Sequence, residues 1–191
     1  MSDTTVNHSL DFVFWHIRPE DSDYPFRTAN LAFDEISQSQ TLQEYYLQDI
    51  SMQGAYTTFV FGQKFTSPSS IYGFLRYREV PEQDLFEEIR KIATNSIFIE
   101  KLDQIFAQDN PQIIYLSRIG IAFDMQRKGI GFLLKDFFEF LIKREQRNTI
   151  IYVKVIAQSE KMLGNQYQKI GEGFSDTWGE YSLYIRYLIL S

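Results

Sequence analysis

Apolar residues recur along the chain in two periods, one typical of strands and one typical of helices. Short runs rich in β-branched and aromatic residues predict strands. They cover residues 12–17, 56–61, 71–77, 113–123, 149–156, 174–178 and 181–190. Breaker residues between the second and third runs predict that these two strands pair antiparallel. A turn at Gly179 predicts that the last two strands form a hairpin.

Helices are predicted where apolar residues lie three and four positions apart. The clearest case is residues 130–147, where Ile130 and Leu134 share one face and Lys135 and Glu139 lie opposite them. Because strands precede and follow this helix, they are predicted to be parallel and joined by a right-handed crossover. Weaker patterns predict two helices within 22–53, two within 81–110 and one over 159–170 that ends at Gly171.

The composition narrows the classes of function. A chain of 191 residues with 44% hydrophobic content suits one core, so residues 1–191 are predicted to be a single mixed α/β (α+β) domain. The net charge of −6 disfavours a nucleic-acid binder, and it fits either a cationic substrate or an ordinary surface. The absence of cysteine excludes disulfides, thiolate metal sites and a cysteine nucleophile. With no signal-peptide pattern and no apolar run of about 18 residues, we expect a cytoplasmic protein with no membrane partner.

The segment with the clearest chemistry is the turn from Gln126 to Gly131, which precedes the predicted helix. The first amides of a helix have no intrahelical partner, and the helix dipole adds partial positive charge, so the two form an anion site. Gly129 and Gly131 lack a Cβ and let phosphate oxygens approach the main chain, while Arg127 and Lys128 add whole charges. The pattern is neither a dinucleotide fingerprint nor a Walker loop. In isolation, the two glycines also fit an ordinary tight turn.

Two motifs of the chain resemble those of the GNAT superfamily of N-acetyltransferases. The phosphate motif of that family, [QR]-x-x-G-x-[GA], is matched by Gln126, Gly129 and Gly131, and its Tyr-x-Lys-x-Gly signature is similar to residues 167–171. Looser similarity covers residues 17–19 and 71–75. The resemblance implies a GNAT-like fold with a mostly antiparallel central sheet flanked by helices, a splayed fourth and fifth strand, and a C-terminal β-hairpin.

The resemblance also implies a site and a reaction. Main-chain groups of Ile119 and Ile121 would pair with the pantetheine arm of acetyl-CoA. The diphosphate of coenzyme A would be held by Gln126, Arg127, Lys128, Gly129, Ile130 and Gly131. Tyr167, protonated at neutral pH because its reference pKa is about 10, would act as the general acid toward the leaving thiolate. The reaction would transfer an acetyl group directly to a primary amine of a small molecule or peptide, with no metal and no covalent enzyme intermediate.

The chain departs from the family pattern where a general base is expected. The glutamate that many members carry on the fourth strand corresponds to Arg118, so the amine must lose its proton by another route. The open alternatives are a water chain, the free-amine fraction of the substrate, or one of the side chains His16, Glu35, Glu44, Glu79 and Glu180. Each carboxylate also fits a solvated surface charge. Further departures are Glu160 in place of an asparagine and Phe123 in place of a proline.

Residues 81–110 are longer than the usual connection between the third and fourth strands of the family. Their apolar faces must be buried, so this helical insertion is predicted to cover the acceptor cleft or to form a homodimer contact. Four aromatic residues fit either the acceptor site or packing, namely Tyr45, Tyr46, Trp178 and Tyr184. The missing glutamate leaves open a non-catalytic acyl-CoA-binding module, and an interaction protein that has lost the ligand is a third alternative.

Overall fold

Seven strands form one sheet in the computed structural model, which describes residues 12–18, 56–63, 70–91, 96–122, 125–176 and 179–189. The strands are β1 Val13–Ile17, β2 Thr57–Gln63, β3 Ser70–Glu79, β4 Gln112–Ile121, β5 Thr149–Val155, β6 Gln168–Asp176 and β7 Gly179–Leu188. Their order across the sheet is β1-β2-β3-β4-β5-β7-β6. All neighbours pair antiparallel except β4 and β5. The predicted mostly antiparallel sheet with a terminal hairpin is therefore confirmed.

Three α-helices flank the sheet in the described part of the chain. They are α1 Glu82–Arg90, α2 Ser96–Asp109 and α3 Ile130–Arg144. These are the two helices predicted within 81–110 and the long helix predicted after Gly129, so all three predictions are confirmed. None of these helices is long and apolar enough to cross a membrane. The two helices predicted within 22–53 lie outside the described residues.

The two faces of the sheet are buried by different helices. On one face, Leu134 and Phe138 of α3 pack with Ile114 of β4 and Ile151 of β5. On the other face, α1 and α2 cover the alternate positions of the same strands. Their contacts include Leu85 and Leu102 of the helices, with Ile113 and Ile150 of the strands. Because successive strand residues point to opposite faces, the insertion forms a second layer of the core. Its side chains Leu85, Ile89 and Leu102 are buried within the chain itself.

The helix predicted over 159–170 is wrong. Two short 3-10 segments, Ala157–Met162 and Gly164–Gln166, follow β5, and β6 begins at Gln168. Gly164 has a left-handed φ of 67°, which stops a helix there. Gln168 and the following residues pair with β7 instead. Their main-chain groups therefore hydrogen-bond to a neighbouring strand and not within a helix.

The predicted solvent face of α3 is wrong at two positions. Lys135 and Glu139 are buried, at 8% and 7% exposure, although the periodicity assigned both to the polar side. They face Arg186 of β7, with which the Glu139 carboxylate pairs. Phe132 and Phe140 are exposed instead. A strand residue remote in sequence therefore provides the counter-charge that lets this side of the helix turn inward.

Candidate functional site

The turn between β4 and α3 has the conformation of an anion cradle. The Met125 N–H donates to Ala122 O at 2.8 Å, and α3 begins after Gly129, which has a left-handed φ of 81°. Arg127 is also left-handed, with a φ of 61°, a conformation that costs a non-glycine residue about 1–2 kcal/mol. Gly129 is exposed, and a Cβ built on it would meet nothing within 4 Å. Solvent therefore reaches the main chain at this point, and the strain at Arg127 marks the turn as a candidate functional site.

In the described part of the chain, the first amides of α3 make no turn or cap hydrogen bond. At the N-terminus of α3, the Leu133 N–H donates to Gly129 O at 3.2 Å. Within the described ranges, no main-chain carbonyl accepts a turn or cap hydrogen bond from the amides of Gly129, Ile130 or Gly131. These N–H groups lie at the N-terminus of α3, where the helix dipole is positive, and this favours an anion.

The two glycines of the turn have different surroundings. In contrast to Gly129, Gly131 is buried, and a Cβ built on it would lie 2.7 Å from Met162 Sδ and 3.0 Å from Ile121 Cδ1. The first 3-10 segment therefore covers the flank of α3 that faces β4. The flexible thioether of Met162 is the part of this cover that can most easily shift.

β4 and β5 separate beside this turn. Their pairing begins at Gln112 and Thr149 and ends at Leu116 and Val153, although β4 continues to Ile121. The Ala122 N–H donates to Tyr72 O of β3 at 2.9 Å, which fixes the direction of the main-chain groups here. Because these groups alternate along an antiparallel strand, those of Ile119 and Ile121 point away from β3. They face the gap on the β5 side, where no described strand pairs with them.

A groove of about 400 Å³ lies on the other side of the turn, toward β1 and β2. Phe12, Phe61 and Leu133 form apolar walls, while Lys128 and Gly129 stand at its rim. The turn therefore lies between the groove on one side and the gap beside β4 on the other.

Tyr167 is buried under α3 rather than on the helix that its motif predicted. It lies in an extended conformation between the second 3-10 segment and β6, with 5% of its surface exposed. Its hydroxyl makes no hydrogen bond of good geometry among the described residues, although the Arg186 side chain is near enough to act on it as a donor. Burial raises the pKa of the phenol, the negative charge of Glu139 adds to that rise, and the positive charge of Arg186 opposes it. The phenol is therefore protonated at neutral pH.

Three charged residues beside Tyr167 escaped sequence reasoning. The Glu139 carboxylate accepts hydrogen bonds from Arg186 and, at 3.3 Å, from Lys135 Nζ. The Arg186 guanidinium lies 5.5 Å from the centre of the Tyr167 ring. The available signal was in β7, where Arg186 falls at an inward position between Tyr184 and Leu188, two residues that pack against the α3 side of the core.

The three described candidates for a general base, His16, Glu79 and Glu180, are all exposed. Glu79 is exposed and pairs with Arg147 and Gln112, and Glu180 is exposed as well. His16 is exposed and stacks on Phe59. Other residues singled out by the sequence lie outside the described ranges, namely Glu35, Glu44, Tyr45, Tyr46, Phe123 and Trp178. The described residues therefore assign no base.

The structure also shows the surroundings of three other residues that the sequence singled out. Arg118 is partly buried and lies opposite Arg76 of β3. Glu160, which replaces the family's asparagine, pairs with Lys169 at 3.3 Å. Tyr184 is partly buried against the α3 side of the core, which favours packing over an acceptor contact.

Comparison with known proteins supports the architecture. No protein-family model and no curated protein matches the sequence. A chain of the NatC complex bound to Gag peptide and CoA matches at a TM-score of 0.61 and 11% identity, covering 94% of this chain and 99% of that one. A polyamine N-acetyltransferase from Drosophila melanogaster, which forms N-acetylagmatine, matches at 0.56 and 13%, covering 94% and 100%. A mosquito arylalkylamine N-acetyltransferase-like protein matches at 0.55 and 14%, covering 93% and 100%.

These matches cover nearly the whole length of both chains, so they concern the complete architecture and not one shared motif. The sheet order, the parallel β4–β5 pair and the turn before α3 agree with what the sequence motifs implied. The chain has the GNAT N-acyltransferase fold.

Proposed function

We propose that this protein is an acetyl-CoA-dependent N-acetyltransferase that acts on a primary amine of a small molecule or peptide. The observation that carries the proposal is the set of available amides at the start of α3, beside a gap between β4 and β5. The structural neighbours add support, because they include N-acetyltransferases and a complex with CoA. Their acceptors range from a peptide to agmatine, which is why the proposal keeps both acceptor classes.

The chemistry of the turn fits a diphosphate. Main-chain donors, a positive helix end and two cations suit phosphate oxygens. We assign this role to Gln126, Arg127, Lys128, Gly129, Ile130 and Gly131. We assign the pantetheine arm to the outward main-chain groups of Ile119 and Ile121, because an extended amide-bearing arm can pair with them as a strand would. When bound, acetyl-CoA supplies a thioester whose carbonyl carbon can be attacked by an amine.

In the proposed reaction, the amine nitrogen forms a bond to the thioester carbonyl carbon and the carbon–sulfur bond breaks. The carbonyl oxygen becomes negatively charged during the attack, so amide donors along the gap stabilise it. Tyr167 donates its phenolic proton to the departing sulfur, and the proton that the amine loses passes through water to restore the phenol. The burial that raises the pKa of this phenol keeps the acid form present across the neutral range, although it also makes full proton transfer harder.

The proposal is tested by incubating the protein with acetyl-CoA and a panel of amines while measuring thiol release. The panel includes polyamines, arylalkylamines and peptides with free N-termini. Thiol release that requires an amine supports the proposal. Absence of release across the panel, with protein that demonstrably binds coenzyme A, contradicts it.

A non-catalytic acyl-CoA-binding module is the second candidate. The burial of Tyr167 favours it, because a side chain that is 5% exposed is closed to a sulfur unless its surroundings move. This module would bind coenzyme A and release no thiol. If the protein has lost the ligand altogether, coenzyme A will not raise its melting temperature, although a true ligand at 100 times its dissociation constant stabilises by about 2.7 kcal/mol.

A further inference from the structure

A lysine stands at the closed end of the gap between β4 and β5. The last residues that pair across these strands are Leu116 and Val153, and Lys154 is the next residue of β5. Val153 and Val155 pack on the α3 side of the sheet. Because side chains alternate along a strand, the Lys154 side chain points to the opposite face, which α1 and α2 cover. The chain therefore places a primary amine of its own where the two strands separate.

A carboxylate of the helical insertion holds this amine. Lys154 Nζ lies 3.0 Å from Glu88 Oε2 of α1 and 5.0 Å from the centre of the Tyr181 ring. The other carboxylate oxygen of Glu88 pairs with Lys91 Nζ at 2.9 Å. Because Lys91 remains as a counter-ion, Lys154 can leave Glu88 without isolating the negative charge. The Lys154 side chain is also 21% exposed, so its flexible stem is not fully enclosed.

The proposed binding mode of acetyl-CoA brings the thioester to the same place. In that mode the diphosphate lies at the turn before α3, and the pantetheine arm runs back along Ile121 and Ile119 of β4. The thioester is at the end of the arm that is remote from the diphosphate. It therefore points toward the closed end of the gap, where Leu116 and Val153 pair and Lys154 follows.

We propose that Lys154 is a site of self-acetylation, at which the chain transfers an acetyl group from its own bound acetyl-CoA to Nζ. This inference rests on the proposed function. The Lys154 ammonium first loses a proton to water, and the nitrogen lone pair then forms a bond to the thioester carbonyl carbon. The carbon–sulfur bond breaks, sulfur takes the bonding electron pair, and the second proton lost by nitrogen ends on sulfur. The products are an uncharged acetyl-lysine, coenzyme A and one proton in solution, so atoms and charge balance.

Mass spectrometry of the full chain tests the inference with acetyl-CoA alone. Lys91 is the internal control, because it pairs with the same carboxylate and its side chain is 57% exposed, against 21% for Lys154. Uncatalysed acetylation favours the more exposed lysine. Delivery through the gap should reverse that order and modify Lys154 at least about tenfold faster, because a bound donor beside its acceptor has a high effective concentration. Modification of Lys91 at an equal or higher rate, or no acetyl group on Lys154, would overturn the inference.

The kinetics distinguish transfer within one chain from transfer between chains. With saturating acetyl-CoA, the rate constant for Lys154 acetylation should not depend on protein concentration, because donor and acceptor belong to the same molecule. Excess coenzyme A should suppress the modification of Lys154 and leave that of Lys91 unchanged. In protein unfolded by urea, the preference for Lys154 should disappear. A rate constant that rises in proportion to protein concentration would overturn the inference.

A matched pair of variants completes the test. Lys154→Arg keeps a cation for Glu88 and should abolish the release of thiol that occurs without an added amine, whereas Lys91→Arg should leave it unchanged. The comparison of the two lysines within the parent protein needs no variant, so it holds even if Lys154→Arg fails to fold. Acetylation of added amines with no acetyl group on Lys154 would overturn self-acetylation and leave the proposed function standing. Acetylation of Lys154 without acetylation of any amine would refute the proposed function while supporting self-acetylation.

Discussion

The turn before α3 and the segment that carries Tyr167 were both predicted from short motifs containing glycine. The conformation predicted for the turn is present in the structure, whereas the helix predicted for the Tyr167 segment is not. The turn has the predicted strand, glycine and helix start, and the structure adds that Gly129 is left-handed. Residues 159–170 do not form the predicted helix, and Tyr167 is extended and buried. Both segments contain a left-handed glycine, Gly129 and Gly164, so the glycine itself does not explain the difference.

The difference lies in what each site is made of. The turn uses main-chain amides, and these become available wherever a helix begins after a glycine. The role of Tyr167 depends on a side chain, and its surroundings come from α3 and β7, far away in the sequence. A main-chain site is therefore predictable from a few neighbouring residues, while a side-chain site depends on register between distant elements.

The largest expected effect is a loss of turnover at Tyr167 that leaves ligand binding at the turn before α3 unchanged. Tyr167→Phe should lower kcat about 100-fold, because a positioned general acid contributes a factor of that order or more. The dissociation constant for desulfo-coenzyme A should stay the same, since the turn is untouched. Steady-state kinetics and calorimetry provide the two measurements. Tyr187→Phe, which removes a hydroxyl bonded to Asp109 on the other face, is the control. A kcat equal to that of the parent protein would remove Tyr167 from the mechanism.

The two left-handed glycines provide a matched pair. Gly129→Ala and Gly164→Ala should each destabilise the fold by about 1 kcal/mol, because alanine is strained at positive φ and neither site has a neighbour within 4 Å. Only Gly129→Ala should weaken coenzyme A binding, by about tenfold, because its Cβ stands before the amides. Denaturant titration and calorimetry measure these effects. Equal affinity in the two variants would argue against the cradle.

The stability of Tyr167→Phe at neutral pH tests the unpaired hydroxyl. We expect the variant to be about 1 kcal/mol more stable than the parent protein, because it removes a buried polar group without a partner. Gain of stability with loss of turnover would be typical of a residue retained for function. A destabilised variant would indicate that the hydroxyl has a structural partner. Urea titration at pH 7 measures the difference.

The same variant has a defined pH dependence. Because the pKa of Tyr167 is raised in the folded state, the folded protein retains the phenolic proton more strongly than the unfolded chain does. Its contribution to stability is fully present below pH about 10 and is lost as the pH rises toward the folded pKa. The advantage of Tyr167→Phe should therefore increase above pH 10. A constant difference between pH 7 and pH 11 would contradict the burial of this phenol.

The smallest expected effect concerns the charges of the turn. Lys128→Gln should weaken coenzyme A binding about threefold at low ionic strength, and high salt should abolish the difference, because an exposed charge contact is screened. Lys143→Gln, which removes an exposed lysine from the other end of α3, should have no effect at either ionic strength. A loss that persists in high salt would indicate a buried contact instead of a screened charge.

Sequence patterns were most reliable where one element determines its own conformation. Leu134 and its apolar neighbours predicted α3, and the β-branched run at residues 149–156 predicted β5. The solvent face of α3 was not predictable, because Lys135 and Glu139 are polar and only Arg186 of β7 makes their burial possible. For the same reason, the sequence indicated that the insertion needed a partner surface, and the fold provides it within the chain.

The sequence by itself determined the seven strands, the helices α1, α2 and α3, and the glycine turn that starts α3, because each depends on residues a few positions apart. Only the tertiary structure decided which cation meets the Glu139 carboxylate and that the Tyr167 side chain is buried beside this pair. Those contacts join residues from three elements, and their geometry follows from strand register and helix rotation, which local spacing does not encode.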